Sequence, residues 1–209
     1  MKELPEPWRK IYLEKQKAIR QRLQDFSAIP TKQYFYELTY CILTPQSSAK
    51  NAAATVAELE RDKFYEVGFD PTDYLRDPKH YIRFHNVKSK RLLKIRDEFE
   101  DLLPYLSKKN LPPNDLRALV LEKIHGFGMK EASHFLRNIG VRELAILDRH
   151  IFKHLARLGV IEEIPRNAPT PKRYLEIEKT WHSYSKEIGI PLDELDLLFW
   201  SMETGEIRK

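Results

Sequence analysis

Apolar side chains recur three or four positions apart through most of the chain, the spacing that aligns them on one face of an α-helix. No segment shows the sustained alternation of apolar and polar residues that is typical of a strand. The pattern predicts helices over residues 7–26, 31–43, 49–60, 88–103, 115–124, 129–139, 149–158, 171–188 and 191–204. The predicted fold class is therefore all-α.

Residues that satisfy unpaired backbone groups mark the ends of these helices. Thr170 followed by Pro171 is typical of a helix start, because a hydroxyl at the N-cap precedes a proline at the first helical position. Further candidate N-caps are Thr31, Ser47 or Ser48, Asn86 and Asn114. Glycine is typical of the position after a helix, and Gly140, Gly159, Gly189 and Gly205 stand at predicted helix ends.

Composition and charge narrow the class of protein. The 209 residues carry 36 basic and 31 acidic side chains, a net charge of +5 that weakly favours a polyanionic partner. No apolar run is long enough to span a membrane, and the N-terminus lacks the apolar core of a secretory signal. A single cysteine, Cys41, excludes a disulfide framework and a cluster held by four cysteines. We expect a protein of the cytoplasm or nucleoid, with no membrane partner.

Two of the seven glycines, Gly126 and Gly128, share one short turn between the predicted helices 115–124 and 129–139. The first amides of a helix are unpaired and lie at the positive end of its dipole, so they favour an anion such as a DNA phosphate. Small residues would let the phosphate approach the backbone closely. A tight turn between two helices, without any ligand, explains the same residues equally well.

Lys130 and Asp148 are the candidate chemical groups. Lys130 lies in the first turn after the glycines, where the helix dipole favours the neutral amine, a nucleophile able to form a Schiff base with a sugar C1′. Asp148 precedes the predicted helix 149–158, and its carboxylate could stabilise a developing oxocarbenium charge. Taken alone, a lysine at the position of Lys130 is more often a solvated surface residue. An aspartate at the position of Asp148 is more often a simple N-cap.

Together these residues resemble the helix-hairpin-helix DNA glycosylases, the superfamily that includes endonuclease III. The resemblance rests on HGFGMKEA at the hairpin and on LDRHI after the following helix. Upstream, LTPQSSAKNA (43–52) is similar to the segment whose glutamine fills space beside the extruded nucleotide, and RFHNVKSKRL (83–92) is similar to the next DNA-facing loop. The match covers about residues 35–158. His125 replaces the usual proline of endonuclease III-like hairpins, a change that keeps the backbone amides.

Within this superfamily the chain resembles the short 8-oxoguanine DNA glycosylase/lyases of archaea and some bacteria. The lone cysteine excludes the iron–sulfur branch, and the small size and the ending LLFWSMETGEIRK are similar to this group. The resemblance implies a bifunctional enzyme of base excision repair, a DNA N-glycosylase and abasic-site lyase acting through a lysine Schiff base. Its expected partner is double-stranded DNA with a damaged base, bound by a monomer without any cofactor or metal ion.

The resemblance also assigns the site residues. It implies Lys130 as the nucleophile and Asp148 as its acidic partner. The base-recognition candidates are Phe84 and Trp200, which would sandwich the base, together with Asp196 and Lys209. The DNA-binding candidates are Gln46, His85, Asn86, Gly126 and Gly128. Asp196 is placed here by its position one helical turn before Trp200.

The superfamily architecture implies two helical domains with a cleft between them. The first would span 31–139 and end in the helix-hairpin-helix, and the second would combine 1–30 with 140–209. Asp148 would then face Lys130 across the cleft.

Two alternatives to this function stay open. The same chemistry could act on another oxidised base, because the hairpin and Lys130 do not read the lesion. A non-catalytic hairpin module that only binds DNA would need the glycines but not Lys130 and Asp148 together. His150 and His154 have a spacing that can hold zinc, but no further ligand follows at motif spacing, so we predict no metal site there.

Overall fold

The computed structural model describes residues 3–108 and 110–207, and within these ranges it contains helices and no strands. The all-α prediction is therefore confirmed. The helices are α1 Glu6–Ser27, α2 Tyr34–Leu43, α3 Ala49–Arg61, α4 Phe64–Val67, α5 Thr72–Arg76, α6 His85–Lys108, α7 Pro113–Lys123, α8 Met129–Asn138, α9 Arg149–Arg157, α10 Pro171–Ile188 and α11 Leu192–Thr204, with a 3₁₀ turn at Thr31–Gln33. Within the described ranges, no helix combines the length and apolar character that crossing a bilayer requires.

The chain forms two compact units. One is continuous in sequence, Ile29–Phe135, and is called the internal unit below. The other combines Met1–Ala28 with Leu136–Lys209 and is called the terminal unit.

The internal unit is built around α2, whose ten residues are all buried. Its core is aromatic: the Phe35 ring stacks on Tyr65 at a centroid distance of 4.5 Å and meets Phe99 edge-on at 5.4 Å. Such ring pairs stabilise a core beyond the area that they bury. The remaining face of α2 packs against α3 and α6, so these helices fix the loop that follows Leu43.

The terminal unit is held together by α1 and α11. Tyr12 donates a 2.6 Å hydrogen bond to Oε2 of Glu194, and Arg20 donates to the same carboxylate at 3.1 Å. Behind these contacts the Trp181 and Phe199 rings stack at 6.3 Å, and both side chains are fully buried. The carboxylate is thus satisfied by two donors from α1, as a buried charge requires.

Several predicted caps are confirmed. The Ser48 side chain accepts from the amide of Asn51 at 3.0 Å, and Thr170 caps α10 by accepting from Arg173 at 3.3 Å. Gly189 and Gly205 follow α10 and α11 in the left-handed conformation, with φ of 68° and 80°.

Three other predicted caps are wrong. Thr31 opens the 3₁₀ turn, and α2 begins only at Tyr34. Asn86 lies inside the first turn of α6, where the carbonyl of Phe84 accepts the first helical bonds. Asn114 lies inside α7, because prolines at 112 and 113 start that helix two residues before the predicted start at 115.

Candidate active site

The hairpin lies in the internal unit, between α7 and α8. Gly126 has a φ of 88°, the left-handed region that favours glycine. A Cβ atom added at Gly126 would lie 2.8 Å from Cζ of Arg91, so a side chain of α6 already approaches this backbone closely. The structure therefore explains the glycine at 126 by its dihedral angle and by Arg91, without any ligand.

Glu131 joins the hairpin to the candidate nucleophile. Its Oε2 accepts from the amide of Gly128 at 3.3 Å, and its Oε1 lies 3.3 Å from Nζ of Lys130. Gly128 is the N-cap of α8, since its carbonyl accepts from Ala132. A glutamate three residues after an N-cap commonly bonds back to it, and this spacing is the signal that sequence analysis missed. The same carboxylate thus contacts a hairpin amide and the Lys130 ammonium.

One DNA-binding candidate and one base-recognition candidate in the internal unit share a left-handed backbone conformation. Gln46 and Phe84 each have a φ of 59°, and both side chains are exposed, Phe84 to 52%. A residue other than glycine costs about 1–3 kcal/mol in such a conformation, which persists only where its surroundings fix it. The Phe84 ring is covered on one side by the Arg83 guanidinium at 5.5 Å.

Hydrogen bonds connect the loops that carry these two residues. The amide of Arg83 donates to Oγ of Ser47 at 3.0 Å, and the Asn51 side chain donates to the carbonyl of Tyr81 at 3.1 Å. His85 follows Phe84 with its ring edge-on to Tyr81 at 5.5 Å, and Asn86 is exposed. The structure therefore carries Gln46 and Phe84 on two linked loops, with His85 and Asn86 directly after Phe84 in the first turn of α6.

Lys88 lies beneath these loops. It is 5% exposed, and its Nζ donates to the carbonyls of Leu43 at 2.8 Å and Pro45 at 2.7 Å. Burial, assisted by the nearby Arg91 charge, lowers the pKa of Lys88 to about 8. Sequence analysis assigned Lys88 no role beyond its place in the segment RFHNVKSKRL, because the acceptors lie more than forty positions earlier in the chain.

Asp148 lies in the terminal unit and is the N-cap of α9. Its Oδ1 accepts from the amides of His150 at 2.8 Å and Ile151 at 2.9 Å. Both bonds fall on one oxygen, so Oδ2 has no hydrogen-bond partner among the residues that the structure describes. The side chain is partly exposed. The cap fixes the carboxylate in place while leaving one oxygen for other chemistry.

Asp196 is buried with a charged partner. Nη1 of Arg137 lies 2.9 Å from its Oδ2, and the two side chains are 5% and 9% exposed. Burial raises the pKa of Asp196 to about 7; Arg137 opposes this shift, and the charges of Asp148 and Asp193 add to it. The Arg137 guanidinium also stacks over the Phe26 ring at 4.8 Å. The predicted role of Asp196 in base recognition stays a prediction.

Trp200 and the two histidines are close neighbours in the terminal unit. The Trp200 ring lies edge-on to His150 at 5.2 Å and is partly exposed. Glu203 lies 3.2 Å from Nδ1 of His150 and 3.3 Å from Nε2 of His154. Within the described ranges no group of three or more such side chains is arranged to hold a metal ion. Lys209, the last base-recognition candidate, lies outside the described residues.

Comparison with known proteins identifies the family. A family model described as 8-oxoguanine DNA glycosylase matches residues 19–190. The chain belongs to this 8-oxoguanine DNA glycosylase family. An 8-oxoguanine DNA glycosylase/AP lyase of Fusobacterium nucleatum is 39% identical to this glycosylase, over 96% of this chain and 95% of the relative. A relative of the same name from Aquifex aeolicus is 33% identical, over 96% and 97%.

Solved structures agree with this assignment. The crystal structure of the Methanocaldococcus jannaschii 8-oxoguanine DNA glycosylase matches with a TM-score of 0.83 and 30% identity, covering 97% of this chain and 95% of that one. A structure of the glycosylase/lyase from the same organism, in complex with 15-mer DNA containing 8-oxoguanine, matches with a TM-score of 0.80 at 29% identity, covering 97% and 99%. The helix-hairpin-helix assignment made for this glycosylase from its sequence is thereby confirmed.

Proposed function

We propose that this protein excises 8-oxoguanine from duplex DNA and then cleaves the strand at the resulting abasic site, with Lys130 as the nucleophile. The observation that carries the proposal is the position of Lys130, in the first turn of α8 directly after the hairpin, in a chain of the 8-oxoguanine glycosylase family. A lysine there serves both activities, because one amine can displace the base and hold the sugar for elimination.

The proposed chemistry has two steps. The neutral amine of Lys130 attacks C1′, the glycosidic bond breaks, and the base leaves with a proton. The C1′–O4′ bond then opens as O4′ takes up a proton, which leaves a protonated Schiff base between Lys130 and C1′. This Schiff base acidifies the C2′ hydrogens, so loss of one of them as a proton and β-elimination expel the 3′ phosphate and nick the strand. Asp148 would stabilise the cationic sugar through its second carboxylate oxygen and assist the proton transfers.

The other site residues would bind and select the nucleotide. Amides of the hairpin at Gly126 and Gly128 would contact phosphates, while Gln46 would fill the space left by the extruded nucleotide, whose unstacking costs a few kcal/mol. Phe84 and Trp200 would stack on the damaged base, at about 1–3 kcal/mol per base. We further propose that the protein acts on DNA as a monomer inside the cell.

Cleavage of a duplex with one 8-oxoguanine, with and without borohydride, tests the proposal. We expect a strand nick without borohydride and a covalent protein–DNA adduct with it. A panel of duplexes with single lesions tests the alternative of another oxidised base, which would be excised faster than 8-oxoguanine. Tight binding without cleavage of any lesion would instead favour a non-catalytic DNA-binding module.

Replacing Glu131 with glutamine should strengthen binding to undamaged duplex DNA. In the free protein the Glu131 carboxylate occupies the Gly128 amide, so a phosphate must displace an anion of like charge. We expect the dissociation constant to fall about two- to fivefold at low salt, and less at high salt, where the charge is screened. Fluorescence anisotropy measures it, with Glu122→Gln at the exposed end of α7 as the control. Unchanged or weaker binding would contradict the displacement.

The raised pKa of Asp196 predicts a pH-dependent stability. Its pKa is about 7 in the folded protein, against 3.8 ordinarily, so between these values the folded state binds a proton that the unfolded state has lost. This bound proton stabilises the folded state fully below pH 3.8, and the stabilisation is lost as pH rises through about 7. The free energy of unfolding falls by at most about 1.4 kcal/mol per pH unit over this range. Urea unfolding should show the wild type losing stability relative to Asp196→Asn over this range. Parallel pH profiles of the two proteins would refute the raised pKa.

A further inference from the structure

Lys88 is a buried cation without an acidic partner. Lysine is almost never fully buried unless it is paired, yet no carboxylate lies within ion-pair distance of Lys88 in the described ranges. Its Nζ is instead surrounded by oxygens of the α2–α3 connection, the two carbonyls of Leu43 and Pro45 and, at 3.4 Å, Oγ of Ser47. Burying the charge is costly, so these three acceptors must compensate for the water that the ammonium group has lost.

The acceptors of Lys88 flank Gln46. Leu43 is the last residue of α2, where the carbonyls lack partners within the helix and the helix dipole has its negative end. An ammonium group there supplies hydrogen-bond donors to the carbonyls and a positive charge to the dipole. Pro45 and Ser47 are the immediate neighbours of Gln46 in the chain. The Lys88 ammonium therefore holds two backbone carbonyls before Gln46 and contacts the side-chain hydroxyl of the residue after it, and Gln46 between them has a left-handed φ.

The backbone of Lys88 secures the second loop. Its amide donates to the carbonyl of Phe84 at 2.9 Å, in the first turn of α6. The Ser47 hydroxyl that Lys88 contacts also accepts from the amide of Arg83. One residue thus connects Gln46 and Phe84, two exposed residues of the internal unit that adopt a left-handed backbone.

We propose that Lys88 is a positioning residue that holds the Gln46 and Phe84 loops as one rigid platform for extrusion of the damaged nucleotide. The proposal rests on the proposed function, in which Gln46 enters the space of the extruded nucleotide and Phe84 stacks on its base. Rigidity matters because a platform that must first be ordered by DNA would bind and open the duplex less effectively. Lys88 itself is buried, so in this proposal it acts through the two loops and not by contact with DNA or the reacting atoms.

The activity test compares two substrates. Lys88→Met keeps the length of the side chain and removes its donors, so we expect single-turnover excision of 8-oxoguanine to slow about tenfold or more, equivalent to about 1.4 kcal/mol. Borohydride trapping at a preformed abasic site, which has no base to unstack, should change by less than about twofold. Lys88→Arg, which keeps charge and donors, should restore part of the excision rate, and Lys108→Met, at the exposed end of the same helix, should change neither rate.

A double-mutant cycle separates positioning from a general structural role. If Lys88 acts through Gln46, then Lys88→Met should slow excision much less in a Gln46→Ala background than in the wild type. Additive losses, or an equal loss of excision and abasic-site trapping, would overturn the proposal. A wild type that neither excises 8-oxoguanine nor forms a trapped adduct would instead refute the proposed function.

Amide hydrogen exchange tests the platform independently of any activity. Lys88→Met should accelerate exchange of the Ser47 and Arg83 amides, which lie in the two loops, while the amides of α2 keep their protection and show that the variant is folded. Unchanged exchange at both loop positions would overturn the proposal even if excision slows.

Discussion

Replacing Lys130 with glutamine should abolish both borohydride trapping and strand cleavage at 8-oxoguanine. Glutamine has a similar length but carries no amine, so neither the Schiff base nor the elimination that depends on it can form. We expect a loss of at least about a thousandfold in the single-turnover rate, because removing a nucleophile commonly costs an enzyme most of its acceleration. Gel separation of the nicked strand and of the covalent adduct measures both activities on one substrate.

Lys123→Gln is the matched control for this variant. Lys123 ends α7, just before the hairpin, and carries the same charge on a half-exposed side chain that faces Glu122 at 3.6 Å. Its replacement should leave trapping intact, whereas the Lys130 variant should still bind duplex DNA through the hairpin. A Lys130→Gln protein that traps and nicks at the wild-type rate would assign the nucleophile to another amine.

Replacing Asp148 with asparagine should slow excision by about a hundredfold to ten-thousandfold while the fold is preserved. Asparagine is as good an N-cap as aspartate, so its side-chain oxygen keeps accepting from His150 and Ile151 and the free energy of unfolding changes little. The carboxylate charge is lost, and with it the stabilisation of a cationic sugar and the acceptance of a proton. Single-turnover excision together with urea unfolding separates the two roles of this residue.

Thr170→Ala provides the opposite control. Thr170 caps α10 in the same terminal unit, so its loss should cost about 0.5–2 kcal/mol of stability without a change in excision. An Asp148→Asn enzyme with undiminished excision would leave the cap as the only role of Asp148.

The helices were predictable wherever an apolar stripe runs for several turns, and the misses have physical causes. The short helices α4 and α5 span four and five residues, too few for a helical period to be recognised in the sequence. Helix α6 was predicted to end at 103, before Pro104, yet it continues to Lys108. Leu102 and Leu106 are both buried, so their packing outweighs the cost of a proline inside the helix, about 3 kcal/mol.

The sequence could single out those candidate site residues that belong to a local motif. Lys130 and Asp148 stand out because each lies at the start of a helix, next to glycines or in a capping position that the sequence displays. The role of Lys88 depends on carbonyls at the end of α2, and the ion pair of Asp196 joins it to a residue 59 positions away. Nothing in the identity of Gln46 signals a left-handed backbone, since glutamine has no preference for it.

The contact between α1 and α11 fixes the order in which the two units can fold during translation. Helix α1 leaves the ribosome well before α11, because Glu194, which accepts from Tyr12 and Arg20, follows Tyr12 by 182 positions. The contiguous stretch from Ile29 to Phe135 can meanwhile collapse by itself, since a continuous domain folds as a unit. Lys130 therefore belongs to the unit that can fold while synthesis continues, whereas Asp148 belongs to the unit that stays incomplete until α11 has been made.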